Sequence, residues 1–214
     1  MSGVRTAIFY SLKPHQLGFC GPQDKRKGIL LRFLKGEDIS GKKIRDILKL
    51  FVGAYSYYEI IARANKIKDP FNEKVVRAYW VGNELLEKIK EPKPHHSFHV
   101  LVRGSITGRI VLKGKLLDLC RIGWGEVKSK IKSPMPTGRQ EKLKVKYQPL
   151  VGKKRLKLGQ PTKKEIDWDK TLLSNIKIGD WVSFHWNQVV EVLNKKDIKN
   201  LEKYTRLTLK NLKS

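Results

Sequence analysis

Apolar positions in the first half of the chain recur every three or four residues. From Ser40 onward they fall at Ile44, Ile47, Leu48, Phe51, Val52, Tyr55, Tyr58, Ile61 and Ala62, a spacing that places them on one face of a helix. Ser40 suits the N-cap, because its hydroxyl can accept from a first-turn N–H that has no partner within the helix. A second run, Val75, Val76, Tyr79, Trp80, Leu85, Leu86 and Ile89, follows Asp69-Pro70, an acid at the cap with proline at the first helical position. Two such helices joined by a short turn make an α-hairpin. A shorter helix is expected from Asp24 through Leu34, and residues 1 to about 23 read as structured loop because Pro14, His15, Gly21 and Pro22 are clustered turn residues. Pro92 and Pro94 end the hairpin, and His95 to Val102 shows neither helical nor strand period.

From about residue 109 the pattern shortens into runs rich in Val, Ile and Lys, separated by turn residues, which is strand chemistry. Strands are expected at Arg109 to Leu112, Arg121 to Ile131, Lys142 to Tyr147, Lys153 to Leu158, Lys163 to Trp168, Trp181 to Trp186 and Val189 to Leu193. Strands this short and this evenly spaced suggest a small barrel. A last helix begins near Lys196, capped by Asn194, with Ile198, Leu201, Tyr204, Leu207 and Leu212 along one side. The fold class is therefore α+β: a helical domain over residues 1–108, then a β-barrel with a C-terminal helix over 109–214.

Composition narrows the function classes. With 214 residues, 40% of them hydrophobic, the chain is long enough to bury a real core, roughly 70% of its unfolded surface. No apolar stretch approaches membrane-spanning length, and Met1-Ser-Gly-Val-Arg-Thr6 opens no signal-peptide pattern, so a cytoplasmic protein is expected, with reduced thiols. Lys plus Arg number 46 against 20 Asp plus Glu, a formal charge of +26. Such a charge raises nucleic acid or another polyanion as partner. The excess is broad, however, with one richer segment, residues 121 to 170, holding 15 basic against 5 acidic residues. No RNP-type, zinc-finger or basic-zipper motif accompanies it, so it reads mainly as solvated surface with weak incidental nucleic-acid affinity. There is no nucleotide-cofactor motif either.

Two cysteines and five histidines remain, and they cluster: His15 with Cys20, His95 with His96 and His99, Cys120, and His185. Thiol and imidazole bind soft or borderline metals, or form a thiolate and its base. Isolated residues of both types are more often simply packed and hydrogen-bonded. Cys20 sits in Gly18-Phe-Cys-Gly-Pro22, where flanking glycines let backbone N–H groups approach a sulfur anion. His95, His96 and His99 together would repel one another if charged, which favours a metal, an anion or a hydrogen-bond network.

The segments Cys120-Arg-Ile-Gly-Trp-Gly-Glu-Val127 and Ile178-Gly-Asp-Trp-Val-Ser-Phe-His185, with the strand Val189 to Leu193 and the polar helix after it, resemble the HypC/HupF family of nickel–iron hydrogenase assembly chaperones. Cys120, Gly125 and Val127 match the first motif of that family; Gly179, Asp180, Trp181, Val182 and His185 match the second. The family's cysteine follows the initiator Met, whereas Cys120 is internal, and Trp124 stands at its usual proline. The resemblance covers about residues 119 to 212. It implies an OB-like barrel, and it implies iron with cyanide and carbon monoxide ligands as a transient cargo, passed from a HypD-like scaffold to the hydrogenase large-subunit precursor. Cys120 would hold the iron or contact the scaffold, and His185 would lie close by. The first 108 residues are similar instead to an uncharacterised bacterial family with Gly-Tyr/Phe-Cys-Gly-Pro and His-His-Ser-Phe-His-Val segments.

Two other readings stand beside it. One is a thiol-dependent enzyme in which Cys20 attacks and His95, His96 or His99 is the base. The other is a single-strand nucleic-acid-binding barrel in which Trp124, Trp181 and Trp186 stack on bases.

Overall fold

The computed structural model describes residues 2–24, 26, 28–104, 111–132, 140–152 and 155–212. Its helical part comprises α1 (Gly3–Gln16), α2 (Ile29–Leu34), α3 (Gly41–Lys49), α4 (Val52–Ala64), α5 (Glu73–Trp80), a single 3-10 turn at Glu84–Leu86, α6 (His96–Arg103) and α7 (Lys115–Cys120). The strands are β1 (Gly123–Ile131), β2 (Gln140–Tyr147), β3 (Leu150–Val151), β4 (Lys157–Leu158), β5 (Thr162–Asp169), β6 (Trp181–His185) and β7 (Gln188–Leu193), and α8 (Lys195–Asn211) follows. Five strands close a barrel in the order β1-β2-β5-β7-β6, with β6 paired back to β1; β3 and β4 pair with each other outside it. Neighbours are antiparallel except β5 and β7, which run parallel.

Alternation fills the barrel. Val127, Leu143, Val145, Ile166, Trp168, Val182, Phe184 and Val189 form one buried cluster. Gly123 faces Phe184 across the β1–β6 pair, and a Cβ there would come within 2.2 Å of the phenyl ring, so the crossing admits only glycine. The chain is α+β with a closed five-stranded barrel and a C-terminal helix, as its periodicity predicts. Asn194 caps α8 as expected, in a full capping box with Asp197.

Several local expectations are corrected. Residues 3–16 form a helix rather than a loop: Ser2 Oγ accepts from the Arg5 N–H, and Ala7, Ile8, Phe9, Tyr10 and Leu12 are buried. Pro14 does not end α1, because a proline late in a helix forfeits one hydrogen bond without stopping it. The run from Ser40 breaks at Leu50 and Phe51 into two helices. The second expected helix is capped by Asn72 rather than Asp69, since Asn72 Oδ1 accepts the Lys74 N–H at 3.0 Å while Asp69 pairs with Arg45. It ends at Trp80, short of Leu85, Leu86 and Ile89. His96–Arg103 is helical, and α7 had no clear signal. Of the strand expected at Arg109 to Leu112, residues 109 and 110 lie outside the described residues and 111 and 112 are not strand. Residues 153 and 154 also lie outside them, and only Lys157–Leu158 of that expected strand pairs. Among the described residues no helix is long and apolar enough to cross a membrane.

The expected boundary near residue 108 falls among residues outside the description. On either side of it the packing is shared: one core cluster contains Ile8, Tyr10, Val76 and Trp80 from the helices together with Ile122, Trp124, Val190, Leu201 and Tyr204. A charged clamp crosses the same seam. Arg77 of α5 donates to Glu191 of β7 at 2.7 Å and to Asp197 of α8 at 2.8 Å, while the Tyr10 hydroxyl of α1 donates to the other Glu191 oxygen at 2.6 Å. Burial alone would lower the Arg77 pKa, and the two carboxylates more than reverse it, so its folded-state pKa is raised. Arg77→Leu leaves two largely buried carboxylates without their cation. It is expected to destabilise by about 3 kcal/mol or more in urea unfolding; a loss below about 1 kcal/mol, the level of an exposed pair, would show that the clamp is not structural.

Candidate metal centre

The seam between helices and barrel contains a triangle of His96, Cys120 and His185, whose ligand atoms all lie within 4.8 Å of one another. All three side chains are buried, the thiol residue being 3% exposed and the imidazoles no more than 2%. They line a cavity of about 30 Å³, room for an ion and a small ligand or two. Ser11, Phe19, Cys20, Tyr79, Trp80 and Trp186 are also on its walls.

Each corner is set by local structure. His185 ends β6, at a two-residue turn in which Trp186 and Asn187 both have left-handed backbone, φ 51° and 60°. Such a turn matches the twist of a hairpin, but a tryptophan there is strained by about 1–2 kcal/mol. The turn is tied down by the Trp186 N–H donating to the Leu119 carbonyl at 2.9 Å. His185 Nδ1–H donates to the Tyr10 carbonyl at 2.6 Å. That carbonyl sits four residues before Pro14, which has no N–H to claim it in the usual helical bond, so the proline in α1 leaves an acceptor for the histidine. A carbonyl only accepts, so Nδ1 holds the ring proton and Nε2 offers its lone pair; this buried Nε2 has no hydrogen-bond partner.

His96 lies in the first turn of α6. Its Nε2 is 2.8 Å from the Cys120 carbonyl and its Nδ1 is 3.0 Å from the Tyr79 hydroxyl. The carbonyl only accepts, so Nε2 holds the ring proton and Nδ1 accepts from the Tyr79 hydroxyl. A metal at Nε2 would displace the Cys120 carbonyl and move the ring proton to Nδ1, which would then donate to Tyr79, the outer-sphere arrangement that orients metal-bound imidazoles. Trp80 backs both rings, with centroids 4.5 Å from His96 and 5.8 Å from His185, and itself stacks on Tyr10 at 5.0 Å.

Cys120 is the last residue of α7, and the residue after it anchors it. The Arg121 guanidinium, 1% exposed, donates to Asp118 at 2.9 Å and to the Gln148 carbonyl at 2.5 Å, and lies over the Trp124 ring. Asp118 also accepts from the Leu150 N–H and the Tyr147 hydroxyl, so every charge beneath the thiol is paired. Burial pushes the Cys120 thiol up to about 12, with the Trp186 indole N–H pulling the other way. In the absence of a cation the thiol is thus protonated at neutral pH, and a bound metal would compete with its proton. Burial lowers His185 to about 4 and His96 well below its ordinary value, keeping both rings neutral, the form that ligates.

The remaining sequence-predicted residues go to different places. Cys20 follows α1 and lines the same cavity. The three clustered histidines do not share one ligand group, though His96 and His99 share a hydrogen-bond network through Tyr79. His95 caps α6, its Nδ1 accepting the Ser97 N–H, and stacks on Tyr204 of α8 at 5.3 Å. His99 bonds to the far side of the Tyr79 hydroxyl at 2.9 Å and lines a separate groove with Tyr57 and Arg103. Helix geometry explains the split: His96 and His99, i and i+3 on α6, meet at the Tyr79 hydroxyl, whereas His95 is the non-helical cap and points elsewhere. Trp124 and Trp186 are buried, their faces taken by Arg121 and Phe19, and Trp181 is half-buried; a base could stack on the first two only by displacing those neighbours. Tyr10, Tyr79 and Trp80, which orient the imidazoles, carry no sequence signal beyond helical periodicity.

The chain matches the model of a family described as "Family of unknown function (DUF6390)" over residues 1–93 and 89–214. No curated protein and no solved structure matches it.

Four buried neutral histidines make the fold acid-sensitive. With His95 at about 3, His99 and His185 at about 4 and His96 lowered, the unfolded chain binds protons first, at its ordinary 6.5. Their stabilisation is complete above pH 6.5 and is lost as pH falls from there towards 4, by up to about 1.4 kcal/mol per pH unit for each ring. Urea midpoints at pH 7.5, 6 and 5 are expected to fall steadily; a flat profile over that range would contradict the neutral, buried assignment.

Proposed function

For a chain that belongs to DUF6390, a family of unknown function, we propose a metal-handling accessory protein in which His96, Cys120 and His185 hold a soft or borderline ion between the helices and the barrel. One observation carries this reading: a buried thiol and two buried, neutral imidazoles from three separate elements line one cavity with their ligand atoms close together, and the buried His185 Nε2 has no hydrogen-bond partner. Unpaired buried polar atoms are costly, and a ligand that engages them removes the cost. Three protein donors also leave a coordination position open, as a site that passes its metal on requires.

The resemblance of residues 119 to 212 to HypC/HupF chaperones supports a more specific version. Cys120 and His185 are the two chemistry-bearing positions of that match. The five-stranded barrel followed by a helix supports the OB-like architecture that the resemblance implies. The cargo is then iron carrying cyanide and carbon monoxide, received from a HypD-like scaffold and delivered to a nickel–iron hydrogenase large-subunit precursor. Low-spin iron with strong-field ligands is soft and favours the Cys120 thiolate. The basic residues of the barrel suit an acidic face on such a partner.

Anaerobic titration with Co²⁺ tests the site. The wild type is expected to give the charge-transfer absorption of a single cobalt–thiolate bond; Cys120→Ala should abolish that band, and His185→Gln should weaken binding about ten-fold or more. Absence of any cobalt–thiolate band in the wild type, or an unchanged band in Cys120→Ala, overturns the site. For the cargo, anaerobic co-purification with the scaffold or the precursor is expected to bring iron–ligand infrared bands with the wild type. Retention of those bands by Cys120→Ala would remove the thiolate's role.

A further inference from the structure

We propose that Cys20 is the outer thiolate of a two-position site: it takes the metal at the mouth of the cavity and passes it inward to Cys120. This rests on the metal reading above and adds to it a residue and a direction of transfer.

The chain has only two cysteines, in different elements, and both line one cavity of about 30 Å³. They are not equivalent. Cys120 is buried and belongs to the triangle, whereas Cys20 is part-exposed and does not belong to that group of mutually close ligand atoms. One cysteine is thus a buried neighbour of two imidazoles, and the other, a part-exposed residue, lines the same space. The loop carrying Cys20 is held in place. Its flanking glycines have left-handed backbone, φ 84° at Gly18 and 70° at Gly21, and a Cβ on Gly21 would come within 2.4 Å of the Phe51 ring. The Cys20 carbonyl accepts from His15 Nδ1–H at 3.1 Å and from Gln23 Nε2–H at 3.0 Å. Phe19, next in the chain, packs on Trp186 at 4.3 Å, so the loop rests against the strained turn that presents His185. The His185 Nε2 lone pair, buried and unpartnered, supplies a ligand at the inner end.

Ligand exchange moves the ion without any redox partner. The metal arrives bound to the Cys20 thiolate. Its bond to the Cys120 sulfur forms as that thiol releases its proton, and the bond to Cys20 breaks as the Cys20 sulfur takes up a proton. The net result is one metal ion moved inward and one proton moved outward, with no electron transferred. A soft metal favours such thiolate-to-thiolate exchange.

The test separates rate from affinity. Wild type and Cys20→Ser are loaded with Co²⁺ under anaerobic conditions. Uptake is followed at the thiolate charge-transfer band, and release is followed by competition with EDTA. In Cys20→Ser the equilibrium band and affinity are expected to stay at wild-type values while uptake and release both slow about ten-fold or more, about 1.4 kcal/mol of barrier. Iodoacetamide applied to the loaded wild type is expected to modify Cys20 and spare Cys120. Exchange as fast in Cys20→Ser as in the wild type, or equal alkylation of both thiols in the loaded protein, overturns the outer-thiolate role while leaving the inner site standing. A wild type that binds no cobalt removes both.

Discussion

Tyr10 is held at four points, and the helical layer meets the barrel through them. Its hydroxyl is bonded to Glu191 and Ser183, its ring lies on Trp80, its carbonyl takes the His185 proton, and Arg77 closes the same carboxylate from the other side. Burying Glu191 would be prohibitive if it were unpaired. The structure meets that demand with a cation from α5 and a hydroxyl from α1, which forces both helices onto β7 in one register. The apolar cluster that spans the seam could tolerate some sliding. The charge clamp cannot, because its hydrogen bonds are directional and each lost partner leaves a charge in a dry environment.

The His96–Cys120–His185 triangle inherits this rigidity. His185 is oriented by the Tyr10 carbonyl, His96 by the Tyr79 hydroxyl beside Trp80, and Cys120 by the paired Arg121 and Asp118 beneath it. None of these supporting groups is itself in the triangle. They set which nitrogen of His185 is available, keep the rings neutral by excluding water, and hold a thiol that is a poor nucleophile until a cation displaces its proton. Cavity, tautomer and protonation state thus follow from one packing arrangement, in which Pro14 has a part: by withholding an N–H it leaves the Tyr10 carbonyl open to the imidazole.

Much of the fold was legible because its signals are local. The short apolar runs that became the five barrel strands, the Ser40 cap and the Asn194 cap depend on residues within a few positions of one another, and these are formed. Where the reading failed, a local signal met a tertiary influence. Pro14 and the turn residues around it look like loop, but Ile8, Phe9 and Tyr10 are buried against α5 and the barrel, and that packing holds the helix despite the missing bond. Asp69-Pro70 has the pattern of a cap, and Asp69 accepts the Phe71 N–H at 2.9 Å while pairing with Arg45, but only a turn follows it and Asn72 caps α5. The three clustered histidines looked equivalent in sequence. In the fold His95 turns to Tyr204, while His96 and His99 meet at the Tyr79 hydroxyl, His96 also belonging to the triangle and His99 to the groove.

By itself, then, the sequence determined the chemical inventory and the local elements: two thiols, five imidazoles, a run of short strands, a capped final helix, and the motif positions Cys120 and His185. Tertiary structure decided which of those groups meet. A ligand triangle is a relation between elements far apart in the chain, here α6, α7 and β6. Their meeting depends on how the helices seat on the barrel, which is set by the buried Arg77–Glu191–Tyr10 contacts and the shared core. Chain periodicity places a residue on a face of its own element, but it carries no information about what that face will touch.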